Sequence, residues 1–300
     1  MSSKPQNPDW KKPPTLEMHA WPARTTMNLR GRLVTIEPPW LMGILNTTPD
    51  SFYQHSRTST DGVVDRAGAM LAAGAHVIDL GGHSTRPGAE TIPEQEERAR
   101  VLPAIQALAA AFPEAIISVD TYRSGIARDA IHEGASIIND VTGGVADQDM
   151  FATAASCGVP YILMHRQGDF KTMQKNPHYE HVILEVFDYL NKRLQELRKA
   201  GVKDVIVDPG FGFGKSLEHN FDLLRHLSWF RRLETPILVG LSRKSMINKV
   251  LGTAPDDALN GTTVLHTLAL LQGAHLLRVH DVKEAAQAVR LVNYYRYGNI

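Results

Sequence analysis

A chain of 300 residues with 43% hydrophobic content can bury a sizeable core, and its 32 basic and 32 acidic residues cancel to a formal charge of zero. That balance leaves no global positive field for a nucleic acid backbone or an anionic membrane, so neither is an expected partner and any anion must be held locally. The single cysteine, Cys157, excludes an intramolecular disulfide framework and Cys-rich metal sites.

Two further absences bear on compartment. Met1 to Thr15 lack the apolar core of a signal peptide, and no run approaches the roughly 18 apolar residues of a membrane span. A reducing, cytoplasmic setting is the expectation.

Residues 1–25, with Pro5, Pro8, Pro13, Pro14 and Pro22, read as a loose extension, leaving 26–300 as one domain. Alternation begins near Trp40. Leu41–Leu45 is an apolar run ending at Asn46, and a helix over about 61–73 follows, stopped by Gly74. His76–Leu80 form the next strand. Thr91 and Glu94 have capping-box spacing, and Leu102, Ile105, Leu108 and Phe112 mark one face of the helix behind them.

Ile116–Val119 ends at Asp120, and a helix to about His132 stops at Gly134. Ser136–Ile138 ends at Asn139-Asp140, with a helix over about 147–156 behind it. Val159–Met164 ends near His165. Ile183, Phe187, Leu190, Leu194 and Leu197 then recur at helical steps until Gly201. Val205–Val207 ends at Asp208, and the Pro/Gly-punctuated stretch Pro209–Gly214 can neither continue the strand nor form a helix. After a helix over about 217–231 come Ile237–Val239, Gly240-Leu241-Ser242-Arg243-Lys244, a helix over about 258–271, the strand Ala274–Leu277, Arg278-Val279-His280-Asp281 and a last helix.

About eight strand–helix units imply a parallel sheet with helices outside, and eight strands close into a (β/α)₈ barrel whose functional loops lie at the carboxyl ends of the strands. An open doubly wound sheet is the competitor. It lacks a Gly-x-Gly-x-x-Gly after the first strand, and Gly210–Lys215 lacks Walker A spacing.

In a barrel, the residues leaving the strands share one rim. Asp120, Asn139, Asp208 and Lys244 offer acceptors, an amide and an ammonium to a flat heterocycle. Asn46, Thr85, Arg86, Arg278 and His280 suit an anion accompanied by a hard metal ion. Each has a bland alternative: Asn46 and Asn139 are common turn formers, Lys244 suits a helix start, and His280 suits a cap. His83 and His165 read as structural histidines, and Met164 as core.

The motifs Leu45-Asn46-x-Thr48-Pro49-Asp50-Ser51-Phe52, Gly81-Gly82-x-Ser84-Thr85-Arg86-Pro87-Gly88, Val119-Asp120-Thr121, Ile138-Asn139-Asp140, Asp208–Lys215, Ser242-Arg243-Lys244 and Arg278-Val279-His280-Asp281, spread over about residues 36–295, together resemble the dihydropteroate synthase family. The resemblance implies a TIM barrel joining 6-hydroxymethyl-7,8-dihydropterin diphosphate to 4-aminobenzoate. By the same resemblance Asp120, Asn139, Asp208 and Lys244 hold the pterin with Met164 against its ring. Asn46 binds Mg²⁺, and Arg278 and His280 hold the diphosphate. The loop of Thr85, Arg86 and Pro87 and the loop of Asp50, Ser51 and Phe52 form the aminobenzoate pocket with Phe213 and Ser242, and the protein is expected to be a homodimer.

Asp120, Lys244, Arg278 and His280 are the catalytic candidates. The chain departs from the family pattern at Tyr53-Gln54-His55-Ser56, His83, Thr47 and Asn248, changes that touch the loops more than the pterin pocket. Two other readings keep the pterin pocket: a methyltetrahydrofolate-dependent methyltransferase and a non-catalytic pterin-binding paralogue.

Overall fold

The computed structural model describes residues 25–36, 39–47, 59–82, 92–170 and 172–298. The sheet is an eight-stranded, all-parallel one built from β3 (Trp40–Asn46), β4 (Val77–Gly81), β5 (Ile116–Asp120), β6 (Ile137–Asp140), β7 (Tyr161–Met164), β8 (Val205–Asp208), β9 (Leu238–Val239) and β10 (Leu276–Val279). Its order, β8-β7-β6-β5-β4-β3-β10-β9, leaves β8 and β9 as ends, and they meet through the parallel bridge between Val207 and Ile237. Val207 N–H donates to the Pro236 carbonyl at 2.9 Å across that seam. The expected TIM barrel is what the chain forms.

Helices α1 (Ser59–Ala72), α2 (Glu94–Ala111), α3 (Ser124–His132), α4 (Met150–Cys157), α5 (Val182–Ala200), α6 (Leu217–Arg225), α7 (Ser245–Leu251), α8 (Leu259–Leu271) and α9 (Val282–Tyr297) follow the strands. Alternate strand residues point to opposite faces, so one set fills the barrel and the other meets the helices. Ile78, Leu80, Ile117 and Val119 belong to the outer core with the helices, and Cys157 packs half-buried at its edge. Met42, Val77, Ile116, Ile137, Ile162 and Ile206 belong to a separate inner cluster.

The inner cluster shows what the sequence reading left out. Before Trp40 it placed no element, yet β1 (Thr25–Leu29) and β2 (Arg32–Ile36) form an antiparallel hairpin. Met27, Leu29 and Ile36 from this hairpin join the strand-start residues, closing the amino-terminal end of the barrel. Its turn is Arg30-Gly31, both at positive φ (52° and 85°), with Gly31 N–H donating to Asn28 Oδ1 at 2.7 Å. Arg in place of the usual Asn or Asp before that glycine hides the turn signal.

Helix details also shifted. Helix α2 starts at Glu94 behind Pro93, so Glu94 is not the third helical residue that a capping box with Thr91 needs, and Thr91 lies outside the described residues. A capping box does occur at α6, between Ser216 and His219, where the histidine conceals it. The expected helix over 217–231 is α6 followed by a 3₁₀ turn, Leu227–Leu233. On α5 the buried row is Val182, Val186, Leu190, Leu194 and Leu197, one residue off the expected Ile183 and Phe187, because apolar pairs stand side by side at the helix start. Among the described residues no helix is long and apolar enough to cross a membrane.

Leu29 is 5% exposed beneath the barrel, so Leu29→Ala should destabilise the protein by about 2–5 kcal/mol in denaturant unfolding. A loss within 0.5 kcal/mol of zero, the scale of a surface substitution, would show that the hairpin does not seal the barrel.

Candidate active site

Strand register builds the site. In the sheet Asn46 lies opposite Gly81, Gly81 opposite Asp120, and Asp120 opposite Asn139, so four consecutive strands place these residues in one row. Met164 pairs with Asp208 higher on the next two strands. Counting back in twos from this row reaches Asp79, Ser118 and Ile137, so Asp79 belongs to the barrel interior, one layer below Asp120. Arg278 has the same parity as Leu276 of the inner cluster and enters the interior from β10.

These interior residues form one charged network. Arg278 Nε donates to Asp79 Oδ2 at 2.6 Å, and an Arg278 terminal nitrogen donates to Asp120 Oδ2 at 2.7 Å. Asn139 Nδ2 also donates to Asp79 Oδ2, at 3.1 Å. Asp79 is completely buried and Asp120 is 3% exposed. Isolated charges at such depth are prohibitively costly, and the shared guanidinium makes the arrangement tenable.

Burial drives the Asp120 carboxyl up to about 7; Arg278 opposes this, while Asp79, Glu97 and Asp140 add to it. The second oxygens of Asp79 and Asp120 have no hydrogen-bond partner among the described residues, which leaves Asp120 free acceptor capacity. Behind Asp120, Thr121 Oγ1 donates to Glu97 Oε1 at 2.6 Å, and Glu97 pairs with Arg123, fixing the end of β5 to α2. Asp140 points the other way. It caps its own loop, accepting from Thr142 N–H at 2.7 Å, Gly144 N–H at 2.8 Å and the Tyr161 hydroxyl at 2.7 Å.

On the opposite wall, Asp208 Oδ1 accepts from Gly210 N–H at 2.7 Å. Burial raises the Asp208 carboxyl, against that hydrogen bond and the charges of Lys244, Lys215 and Arg278. The loop after it must hug the neighbouring strand end. A Cβ on Gly210 (φ 72°) would stand 1.9 Å from the His165 carbonyl oxygen, and one on Gly214 (φ 65°) 2.3 Å from that of Gln167. No other residue type fits either position.

Lys244 donates to the Phe211 carbonyl of this loop, and its Nζ lies 4.2 Å from the centre of the Phe213 ring. Burial pushes its ammonium down to about 8, with Asp208 acting in the opposite sense. Lys244 gets there because Arg243 adopts a left-handed φ of 53°, a conformation that costs a non-glycine residue roughly 1–2 kcal/mol. Two 2.9 Å hydrogen bonds from Arg243 to Asp281, and one of 3.0 Å from Arg243 N–H to Thr262 Oγ1, hold it there. Beside it, Ser242 Oγ accepts from His280 N–H at 3.1 Å and lies 3.0 Å from His280 Nδ1. Ser242 and His280, expected in different subsites, therefore adjoin.

The structure thus brings together Asn46, Asp120, Asn139, Met164, Asp208, Phe213, Ser242, Lys244, Arg278 and His280 at the carboxyl end of the barrel. Thr85, Arg86, Pro87 and Phe52, with Asp50 and Ser51, lie outside the described residues. Three buried charged residues escaped the sequence reading. Asp79 is a carboxylate inside the apolar run Val77-Ile78-Asp79-Leu80, and that misfit was its signal; Glu97 lies on the helix behind Asp120; Lys215, 3% exposed, entered only as the end of the Asp208–Lys215 motif.

The chemistry on offer has two parts. Carboxylates, an amide and an ammonium are donor and acceptor types that a flat, polar-edged ring could use, and Arg278 and His280 are types that could meet an anion. No group of three or more His, Cys, Asp or Glu side chains able to hold a metal exists among the described residues. A cation here would rely on the Asn46 amide oxygen together with oxygens of its ligand.

A family model described as "Pterin binding enzyme" matches residues 42–280. The chain is 43% identical over 266 residues to the dihydropteroate synthase of Escherichia coli (strain K12), covering 88% of this chain and 94% of that one. It superimposes on the Yersinia pestis dihydropteroate synthase in complex with a sulfonamide drug with a TM-score of 0.85 and 40% identity, covering 91% of this chain and 99% of that one. The Xanthomonas albilineans dihydropteroate synthase in complex with 7,8-dihydropteroate gives a TM-score of 0.82 at 35% identity, covering 91% and 99%.

Asp79→Asn removes a negative neighbour and leaves the Arg278 charge to Asp120 alone. Carboxyl-carbon NMR should then show the Asp120 midpoint falling from about 7 toward the ordinary carboxylate range. An unmoved midpoint would mean the two carboxylates do not share the guanidinium.

Proposed function

We infer the reaction from one premise: this chain belongs to the pterin-binding enzyme family and, within it, to the dihydropteroate synthases. It condenses 6-hydroxymethyl-7,8-dihydropterin diphosphate with 4-aminobenzoate, giving 7,8-dihydropteroate and diphosphate. The observation that carries the site assignment is the buried Asp79–Arg278–Asp120 network opening beside Asn139, Asp208 and Lys244.

In this reading the pterin ring lies over Met164, with its N–H edge on Asp120 and Asp208 and its acceptors on Asn139 and Lys244. The diphosphate lies against Arg278 and His280. The bond from the pterin methylene carbon to the bridging oxygen breaks, and its electron pair leaves with the diphosphate. Arg278 and His280 stabilise the negative charge developing there. The methylene is left cationic, in conjugation with the ring, and the ionised Asp120 carboxylate stabilises it electrostatically. The 4-aminobenzoate nitrogen, placed between Phe213 and Ser242, donates its lone pair to that carbon and then gives up a proton to water at the mouth of the site. An unprotonated arylamine needs no strong general base to do so.

Mg²⁺ supplies further neutralisation of the leaving diphosphate when bound. Asn46 is the residue that would hold it. Its hard amide oxygen lies in the same row as Asp120, and among the described residues no cluster of acidic side chains surrounds it, so it would suit Mg²⁺ accompanied by oxygens of the substrate.

Homodimerisation is part of the same proposal. Helices α7, α8 and α9 expose Val250 (58%), Val264 (52%), Leu268 (43%) and Leu291 (73%), an apolar surface that a second copy of the chain would cover. Light scattering should give twice the 33.2 kDa chain mass, and Leu268→Glu should halve it. A monomer at micromolar concentration contradicts this part.

Diphosphate should appear in step with dihydropteroate, and only when 4-aminobenzoate is present. Release without coupling, or none at all, would sink the reaction. Arg278→Ala should lower kcat/KM by about 100-fold or more, the scale of losing one preorganised charge donor. It should weaken binding of pterin diphosphate far more than of a pterin without diphosphate; equal losses by calorimetry would remove Arg278 from the anion subsite.

A further inference from the structure

The loop Asp208–Lys215 supplies Asp208, Phe213 and the carbonyl under Lys244, but its last residue has had no part in the chemistry so far. Lys215 does not extend to solvent from a loop end. It is 3% exposed, turned back under its own loop. Its Nζ donates to the Gly210 carbonyl at 2.9 Å and to the Phe213 carbonyl at 3.1 Å, and lies 2.9 Å from His165 Nδ1.

Every one of these contacts can be an acceptor, matching the three N–H donors of an ammonium. The His165 imidazole is kept neutral, its pKa held well below the usual range by burial and then by the Lys215 charge, so Nδ1 can accept with the proton on Nε2. Burial holds the Lys215 ammonium well below the usual lysine range, Asp208 opposing that shift and Lys244 adding to it, so the ammonium depends on its three acceptors and on Asp208.

Position matters as much as charge. The two carbonyls that Lys215 ties together flank Phe211, whose own carbonyl receives Lys244. Gly210, at one end of the tie, gives its N–H to Asp208 Oδ1. A second prop stands behind the first: the Tyr179 hydroxyl donates to the Gly214 carbonyl at 2.9 Å, and the Tyr179 ring lies 6.1 Å from His165. The loop cannot be supported by side chains at Gly210, Gly212 or Gly214, because all three are glycines at positive φ. Left alone such a backbone is the most freely varying part of the site wall.

We propose that Lys215 is a positioning residue for ring recognition: its ammonium, braced by His165, fixes the Gly210–Phe213 turn so that Asp208 and Lys244 meet the pterin in one preset geometry. This rests on the pterin reading of the site. It differs from a fold-supporting role in where the loss should fall. Relaxing the turn costs affinity for the ring, whereas Arg278 and His280, which face the leaving group from another wall, keep their arrangement.

The experiment uses the full chain. Lys215→Met keeps the length and apolar stem of the side chain and removes the donors. Calorimetry with 6-hydroxymethylpterin should show at least about a tenfold weaker Kd, the scale of losing a charged hydrogen bond. At saturating substrates kcat should stay within about threefold of wild type. A folded Lys215→Met protein with unchanged Kd overturns the proposal, and so does one that keeps Kd and loses kcat.

Should that variant fail to fold, Tyr179→Phe decides, since it deletes a single hydroxyl from the second prop. Roughly two- to fivefold weaker pterin binding supports the brace, as for one neutral hydrogen bond, and an unchanged Kd overturns it. A wild-type chain that binds the pterin yet releases no diphosphate would sink the proposed reaction and leave this inference standing.

Discussion

One guanidinium in the middle of a barrel organises this site. Arg278 reaches inward from β10 and meets two carboxylates from β4 and β5. Removing it would leave two like charges buried together, and removing either carboxylate would leave its charge partly unmatched. Such a cluster adds little net stability compared with an apolar core of the same volume. Its persistence in the interior layer, just above the apolar cluster that the hairpin closes, marks a place where stability yields to chemistry.

The charge balance also bears on the protonation of Asp120. With Asp79 and Asp120 competing for Arg278, burial leaves Asp120 poised near neutrality. Entry of a ligand that brings N–H donors, or a cation forming beside the carboxylate, would favour the ionised form. Across the mouth the pattern is reversed in sign. Lys244 is a cation held near 8 by burial, facing Asp208. The two walls thus differ in charge, a carboxylate pair sharing Arg278 on one and Lys244 facing Asp208 on the other.

Much of this was legible before any coordinates. Asn46, Asp120, Asn139 and Asp208 each end an apolar run, and the carboxyl end of a parallel barrel is where polar groups of the inward parity reach the mouth. Asp79 was not legible in the same way. The reading stopped at strand ends, and a carboxylate within a strand reveals its purpose only when an arginine 199 residues later is seen to meet it. Lys215 was hidden for a related reason: sequence shows a lysine after glycine, not a side chain folded back beneath its own loop. The Ser242–His280 contact joins residues 38 apart whose expected roles differed. The β1–β2 hairpin escaped because short alternation across an unusual Arg-Gly turn carries little periodic signal.

A crystal structure of the chain with 6-hydroxymethyl-7,8-dihydropterin diphosphate bound tests the account most directly. The ring should lie against Met164 with its edge on Asp120, Asn139, Asp208 and Lys244, and both phosphates should contact Arg278 and His280. A ligand bound with its phosphates toward Asp208 and its ring toward His280 would contradict the account.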